Sequence, residues 1–136
     1  MLHYEPKILV AFGEAVSGNN KIFHWLADNG YFELASLANC INSDNEAFFW
    51  LLKNGYPHLA ILSNAMDGYE DAYKWLKENK FMFYIVFADA CRNKPKAIEW
   101  LKANDLEVFV HLSKKIYDVL EQQRRDNYDY HKKRFR

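Results

Sequence analysis

Glycine and proline are scarce, at five and three residues in a chain of 136. That scarcity argues against an all-β or loop-rich fold, which needs turn formers at short intervals. No apolar run approaches the ~18 residues of a membrane span, which excludes a spanning helix and a membrane partner. The first residues, MLHYEPKILVAFGEA, place Glu5, Pro6, Lys7 and Glu14 where a secretion signal needs an unbroken apolar stretch, so an intracellular, cytoplasmic protein is expected. Cysteine is limited to Cys40 and Cys91, about two structural units apart and too distant to bridge, so both read as small hydrophobes. Phosphate-cradling glycine loops and the G-x-S-x-G elbow are missing. The five histidines show no metal-ligand spacing. No cofactor, no metal and no enzymatic activity are therefore expected.

What the chain does have is periodicity. Its four tryptophans, Trp25, Trp50, Trp75 and Trp100, fall at intervals of 25 residues. The neighbours keep step: Leu26, Leu51, Leu76 and Leu101, then Asn29, Asn54, Asn79 and Asn104, then Tyr31, Tyr56, Phe81 and Leu106. A fixed period of this length marks a protein built from one repeated supersecondary unit.

Each unit divides into two short amphipathic helices. In the middle unit, residues 45–54 carry one broad apolar face and stop at Gly55, while Pro57 opens a helix with core positions Leu59, Leu62, Ser63 and Met66. Carried through the period, this gives first helices near 6–17, 32–42, 57–67, 82–92 and 107–122, and second helices near 20–29, 45–54, 70–79 and 95–104. Helices of ten residues are marginal alone in water, so stacking must hold them, with the tryptophan column as the expected buried anchor. The expected fold is all-α: a right-handed αα-superhelix, or solenoid, of about four and a half helical hairpins. Residues 1–122 form one domain, and 123–136 form a basic tail or helix extension.

The segment WLLKNG, Trp50 to Gly55, resembles the end of the second helix of an ankyrin repeat, and the small columns headed by Ala15 and Gly18 resemble that family's alanine and loop glycine. The resemblance covers residues ~8–116 at the level of helix pattern. The family's β-turn loop and Thr-Pro-Leu-His opening are missing here. The resemblance implies a non-catalytic scaffold that binds a protein or peptide, and it transfers no binding residue.

Two surfaces suggest themselves. The column Glu14, Asn39, Asn64, Asp89 is polar in otherwise apolar first helices, with Ser36, Ile61 and Val86 three residues earlier in their units. The column is either a solvated stripe or hydrogen-bond ladder, or part of a partner-binding concave face made by Ser36, Asn39, Ile61, Asn64, Val86 and Asp89. The second surface is the tail. Formal charge is zero overall, yet residues 1–121 hold 12 basic and 16 acidic side chains, whereas 122–136 hold six basic and two acidic. Arg124, Arg125, Lys132, Lys133 and Arg134 interleave with Tyr128 and Tyr130, a composition able to neutralise phosphates and stack on bases, so nucleic-acid binding is the alternative. Finally, the first helix has an apolar stripe with only Lys7 and Glu14 as charges after Pro6. Either Leu2 and Tyr4 fold back over it, or two chains pair through their N-terminal units as a homodimer.

Overall fold

The repeat register follows from two helix stops used over and over. Position 30 and its equivalents take the left-handed backbone at Gly30, Gly55, Lys80 and Asp105 (φ 92°, 88°, 63° and 57°). The following amide then donates back across the turn, as from Tyr56 N to Leu51 O at 2.9 Å, which satisfies a free carbonyl at the helix end. The asparagine just before the stop adds a clasp: Asn29, Asn54, Asn79 and Asn104 each donate from Nδ2 to the tryptophan carbonyl four residues back, at 2.7–2.9 Å. The other turn uses the same geometry at Gly18, Ser43, Gly68 and Asn93.

A computed structural model describes the backbone of residues 1–134 and the side chains of 1–128. Among the described residues there are nine helices and no strand. These are α1 (Pro6–Val16), α2 (Asn20–Asp28), α3 (Phe32–Ile41), α4 (Asn45–Lys53), α5 (Pro57–Met66), α6 (Glu70–Glu78), α7 (Met82–Cys91), α8 (Pro95–Ala103) and α9 (Glu107–Arg134). Neighbouring helices pack against one another as an α-helical repeat solenoid does. None is long and apolar enough to cross a membrane.

The solenoid closes on itself. Each first helix packs on the next, α1 on α3, α3 on α5, α5 on α7 and α7 on α9, and α9 packs back on α1. The inner column Phe12, Leu37, Leu62, Phe87 and Leu112 is at most 3% exposed and fills the interior of this five-helix ring. Closure has a steric cause. Inner helices meet through small side chains, such as Ala35, Ala60, Ala38, Ala88 and Ser63, and approach closely. The outer helices α2, α4, α6 and α8 carry the bulky aromatics and do not pack closely on each other. Each hairpin is thus a wedge with its thin edge inward.

At the seam, Gly13 gives α9 room. A Cβ there would lie 3.2 Å from both Leu112 Cδ1 and Lys115 Cδ. Lys115 Nζ also donates to Glu14 Oε1 at 2.6 Å, beside the tight packing. Both mouths of the ring are covered by the chain. At the mouth where the first helices begin, Met1 is 5% exposed and Tyr4 donates to Glu33 Oε1 at 2.8 Å. At the other mouth α9 leans over the end of α3, where Gln123 Nε2 donates to Ile41 O at 2.8 Å.

Three expectations change. The tryptophans are not the buried anchors: Trp25 and Trp100 are 45% and 43% exposed, while Leu26, Leu51, Leu76 and Leu101 are at 0%. Instead three of the four indoles stack on the ring of the next column, as Trp50 on Tyr56 at 6.1 Å and 12°. The apolar stripe of α1 is not left open at an end of the stack: it packs against α9 within the chain, leaving Val10 exposed, and Leu2 stays in solvent. Lastly, α9 does not end near residue 122 but runs to Arg134, so of the two forms expected for the basic segment its described part takes the helix extension.

The left-handed stops give a stability prediction. Lys80 and Asp105 occupy a backbone region that costs an L-residue ~1–2 kcal/mol and costs glycine almost nothing. Lys80→Gly and Asp105→Gly should each raise stability by ~1 kcal/mol, read as a higher urea midpoint with unchanged slope. A lower midpoint would mean that their side chains contribute more than the backbone strain.

Candidate functional site

With its interior filled, the ring has no concave face. The six residues expected to line one are instead divided among grooves on the outside, between successive outer helices. Ser36 is only 4% exposed, and Asn39 and Val86 are half-buried. Asp89 lines the α6–α8 interval, and of the six only Ile61 and Asn64 come together in an open groove, between α4 and α6. The hydrogen-bond ladder is not formed either: among the described residues, Asn39, Asn64 and Asp89 make no bond to one another.

The 25-residue register explains why one groove is open and the next is not. In the α6–α8 interval Tyr73 Oη donates to Asp89 Oδ1 at 2.8 Å, and Lys94 Nζ pairs with the same oxygen at 3.5 Å. Arg92 Nη1 reaches Tyr73 Oη at 3.4 Å, with its guanidinium 5.8 Å from the ring centre. Burial pushes the Tyr73 hydroxyl up to about 12, with Arg92 opposing and Asp89 reinforcing, so it stays protonated and donating at neutral pH. One unit earlier, Phe48 stands in the place of Tyr73, Asn64 in that of Asp89 and Tyr69 in that of Lys94. Phenylalanine has no hydroxyl to give, so the Asn64 amide, half-buried, makes no side-chain hydrogen bond among the described residues.

The result is a groove of about 930 Å³. Its floor is Ile61, Asn64 and Phe48, its walls are Phe49, Tyr69 and Trp75, and Asn45, Glu70 and Asp71 line its polar edge. Phe49 and Tyr69 are 56% and 62% exposed, an unusual outlay of large apolar surface on neighbouring helices. Local sequence builds these walls. Asp44 caps α4, accepting from Glu46 N at 2.9 Å and Ala47 N at 3.3 Å, and so fixes the direction in which Phe48 and Phe49 leave the helix. Tyr69 occupies the equivalent capping position of α6 but makes no cap bond, which leaves its ring to the groove.

Sequence reasoning missed Phe49, Tyr69, Glu70, Asp71 and Trp75. The available signals were Tyr69 in the Asp44–Tyr69–Lys94 column, which sets this groove apart from both neighbours, and the change from Phe48 to Tyr73, which sets it apart from the next.

Elsewhere, chemistry is sparse. Burial pushes Cys40, with Asp44 adding to it, up to about 12 and raises Cys91 as well, so neither thiol is activated. The described residues hold no group of three or more histidine, cysteine, aspartate or glutamate side chains able to grip a metal. On the basic segment, Arg124 is paired with Glu121, and Arg125 Nη2 donates to Gln122 Oε1 at 2.8 Å. Partial desolvation raises the Asp67 carboxyl above its ordinary value, and nearby Arg124 opposes that rise without cancelling it. The side chains of Lys132, Lys133 and Arg134 lie outside the described residues.

Fold and groove together define an all-α repeat ring, among the described residues, with an open aromatic groove on its outer surface. No family model, no curated protein and no solved structure matches the chain.

Proposed function

We propose that the protein is a non-catalytic binding scaffold that receives an extended segment of a partner protein in the α4–α6 groove. The observation that carries this reading is the Asn64 amide, unengaged at the centre of exposed aromatic walls, where the equivalent Asp89 is bonded to Tyr73 and Lys94. An amide offers a donor and an acceptor side by side, which suits the N–H and C=O of an extended peptide backbone. Exposed Phe49 and Tyr69, with half-buried Trp75, supply the apolar contact that fixes the side chains. The ankyrin-like helix pattern points to the same class of function. Peptides selected from a random display library against the whole chain should lose more than tenfold in affinity on Asn64→Ala or Phe49→Ala. The same peptides should tolerate Ile98→Ala, which changes the Phe48 column two units on. Peptides indifferent to the groove variants would overturn the reading.

A second reading, nucleic-acid binding along α9, has one observation in its favour: exposed Arg124, Arg125 and Tyr128 share a helix that continues beyond the ring. It predicts affinity for single-stranded nucleic acid that falls with salt by ~0.7 log units per log unit for each phosphate contacted. Filter binding that is absent, or unchanged by removal of residues 124–136, sinks it.

A further inference from the structure

We infer that the segment held in the α4–α6 groove is cationic, presenting a lysine or arginine side chain flanked by apolar residues. This rests on the groove being the binding site and names the chemistry of what binds there.

Charge decides between possible occupants. The only charged side chains lining the groove are two carboxylates, Glu70 and Asp71, at the start of α6. The capping residue Asp44 and Glu46 in the first turn of α4 add two more, whereas Asp67 before α6 is opposed by Arg124. The C-terminal ends of α3 and α5 and the N-terminal ends of α4 and α6 meet at this side of the ring, so their dipoles oppose one another and the carboxylates set the sign of the charge. An acidic segment would be repelled, and a purely apolar one would leave the carboxylates partly desolvated without partners. A lysine or arginine satisfies both parts of the lining. Its alkyl stem can lie along Phe49, Tyr69 or Trp75, where the ring faces attract the positive head, and the head can reach Glu70 or Asp71. The neighbouring α6–α8 interval is less suited to such a ligand: it shares Glu70, but Arg92 and Lys94 line it too and Asp89 is already paired. One of two successive grooves is therefore cation-selective, by substitutions within a common register.

The test uses the full chain and three matched fluorescent peptides: one with lysine and arginine between leucines, one with glutamine in their place and one with glutamate. Anisotropy should show the cationic peptide binding at least tenfold tighter than the glutamine peptide, with an advantage that shrinks as salt is raised. Glu70→Gln combined with Asp71→Gln should erase that advantage while leaving the melting temperature within a few degrees. Asn64→Ala should weaken the cationic and glutamine peptides alike. Equal binding of the first two peptides, or an advantage that survives the double change, overturns the cationic inference. So does library selection that yields acidic or wholly apolar sequences at the groove, an outcome that leaves the groove itself standing. If selected peptides ignore Asn64→Ala and Phe49→Ala as well, the groove and the inference fall together.

Discussion

A chain ending at Asp105 should lose cooperative folding, whereas one ending at Gln123 should keep it. The shorter chain lacks Phe109, Leu112, Ile116 and Leu120, which are 2%, 3%, 0% and 4% exposed. At ~1.5–3 kcal/mol for each fully buried side chain, the loss is on the order of 6–12 kcal/mol, comparable with the whole stability of a small domain. The architecture makes it worse than a count of side chains suggests. Removing an end unit from an open stack uncovers one neighbour. Removing α9 from this ring uncovers both α1 and α7 and opens the interior to water. Circular dichroism through a urea titration reads the outcome. A steep transition of near-normal midpoint in the chain ending at Asp105 would show that α9 is an appendage rather than a wall.

Phe12 carries the second large effect. It sits in the first helix yet is at 0% exposure, in contrast to Val10 two residues earlier at 56%. Phe12→Ala should cost ~3–5 kcal/mol, in the range of buried aromatic truncations. Phe12→Lys should prevent folding, because it places an unpaired ammonium among Leu37, Leu112 and their neighbours. Val10→Glu should change stability by less than ~0.5 kcal/mol, as surface substitutions usually do. Denaturant midpoints for the three variants separate these cases. A mild Phe12→Ala would mean that α1 lies at a frayed end with no second neighbour.

The repeat was legible because it is written in identities: tryptophan, leucine and asparagine at fixed spacing translate directly into helix, core and clasp. The limits of the first eight helices came within a residue or two, as with 57–67 expected and Pro57–Met66 found, whereas α9 overran its expected end by twelve residues. Closure was not legible, although its cause is present in the same columns. Periodicity reports that units are alike; the angle between them depends on how far small inner residues such as Gly13 and Ala60 let helices approach while Trp50 and Phe48 hold others apart. That is a balance of volumes in three dimensions. The groove was half legible for a related reason. Asn64 stood out as a polar residue in an apolar helix, but so did Asp89, and only the bond from Tyr73 shows that one is engaged and the other free.

Closure of the ring is the claim on which the filled interior and the outward grooves depend, and one distance decides it. Val10 and His111 are both exposed and line one small cavity of about 150 Å³ at the seam between α1 and α9. Spin labels on Val10→Cys and His111→Cys, in a background with Cys40→Ala and Cys91→Ala, report their separation by pulsed electron paramagnetic resonance. Labels on adjacent helices with axes ~8–10 Å apart should give a single distribution centred below ~20 Å. An open stack would place the same helices four packing steps apart, on the order of 35 Å, and a distribution centred there would contradict the ring.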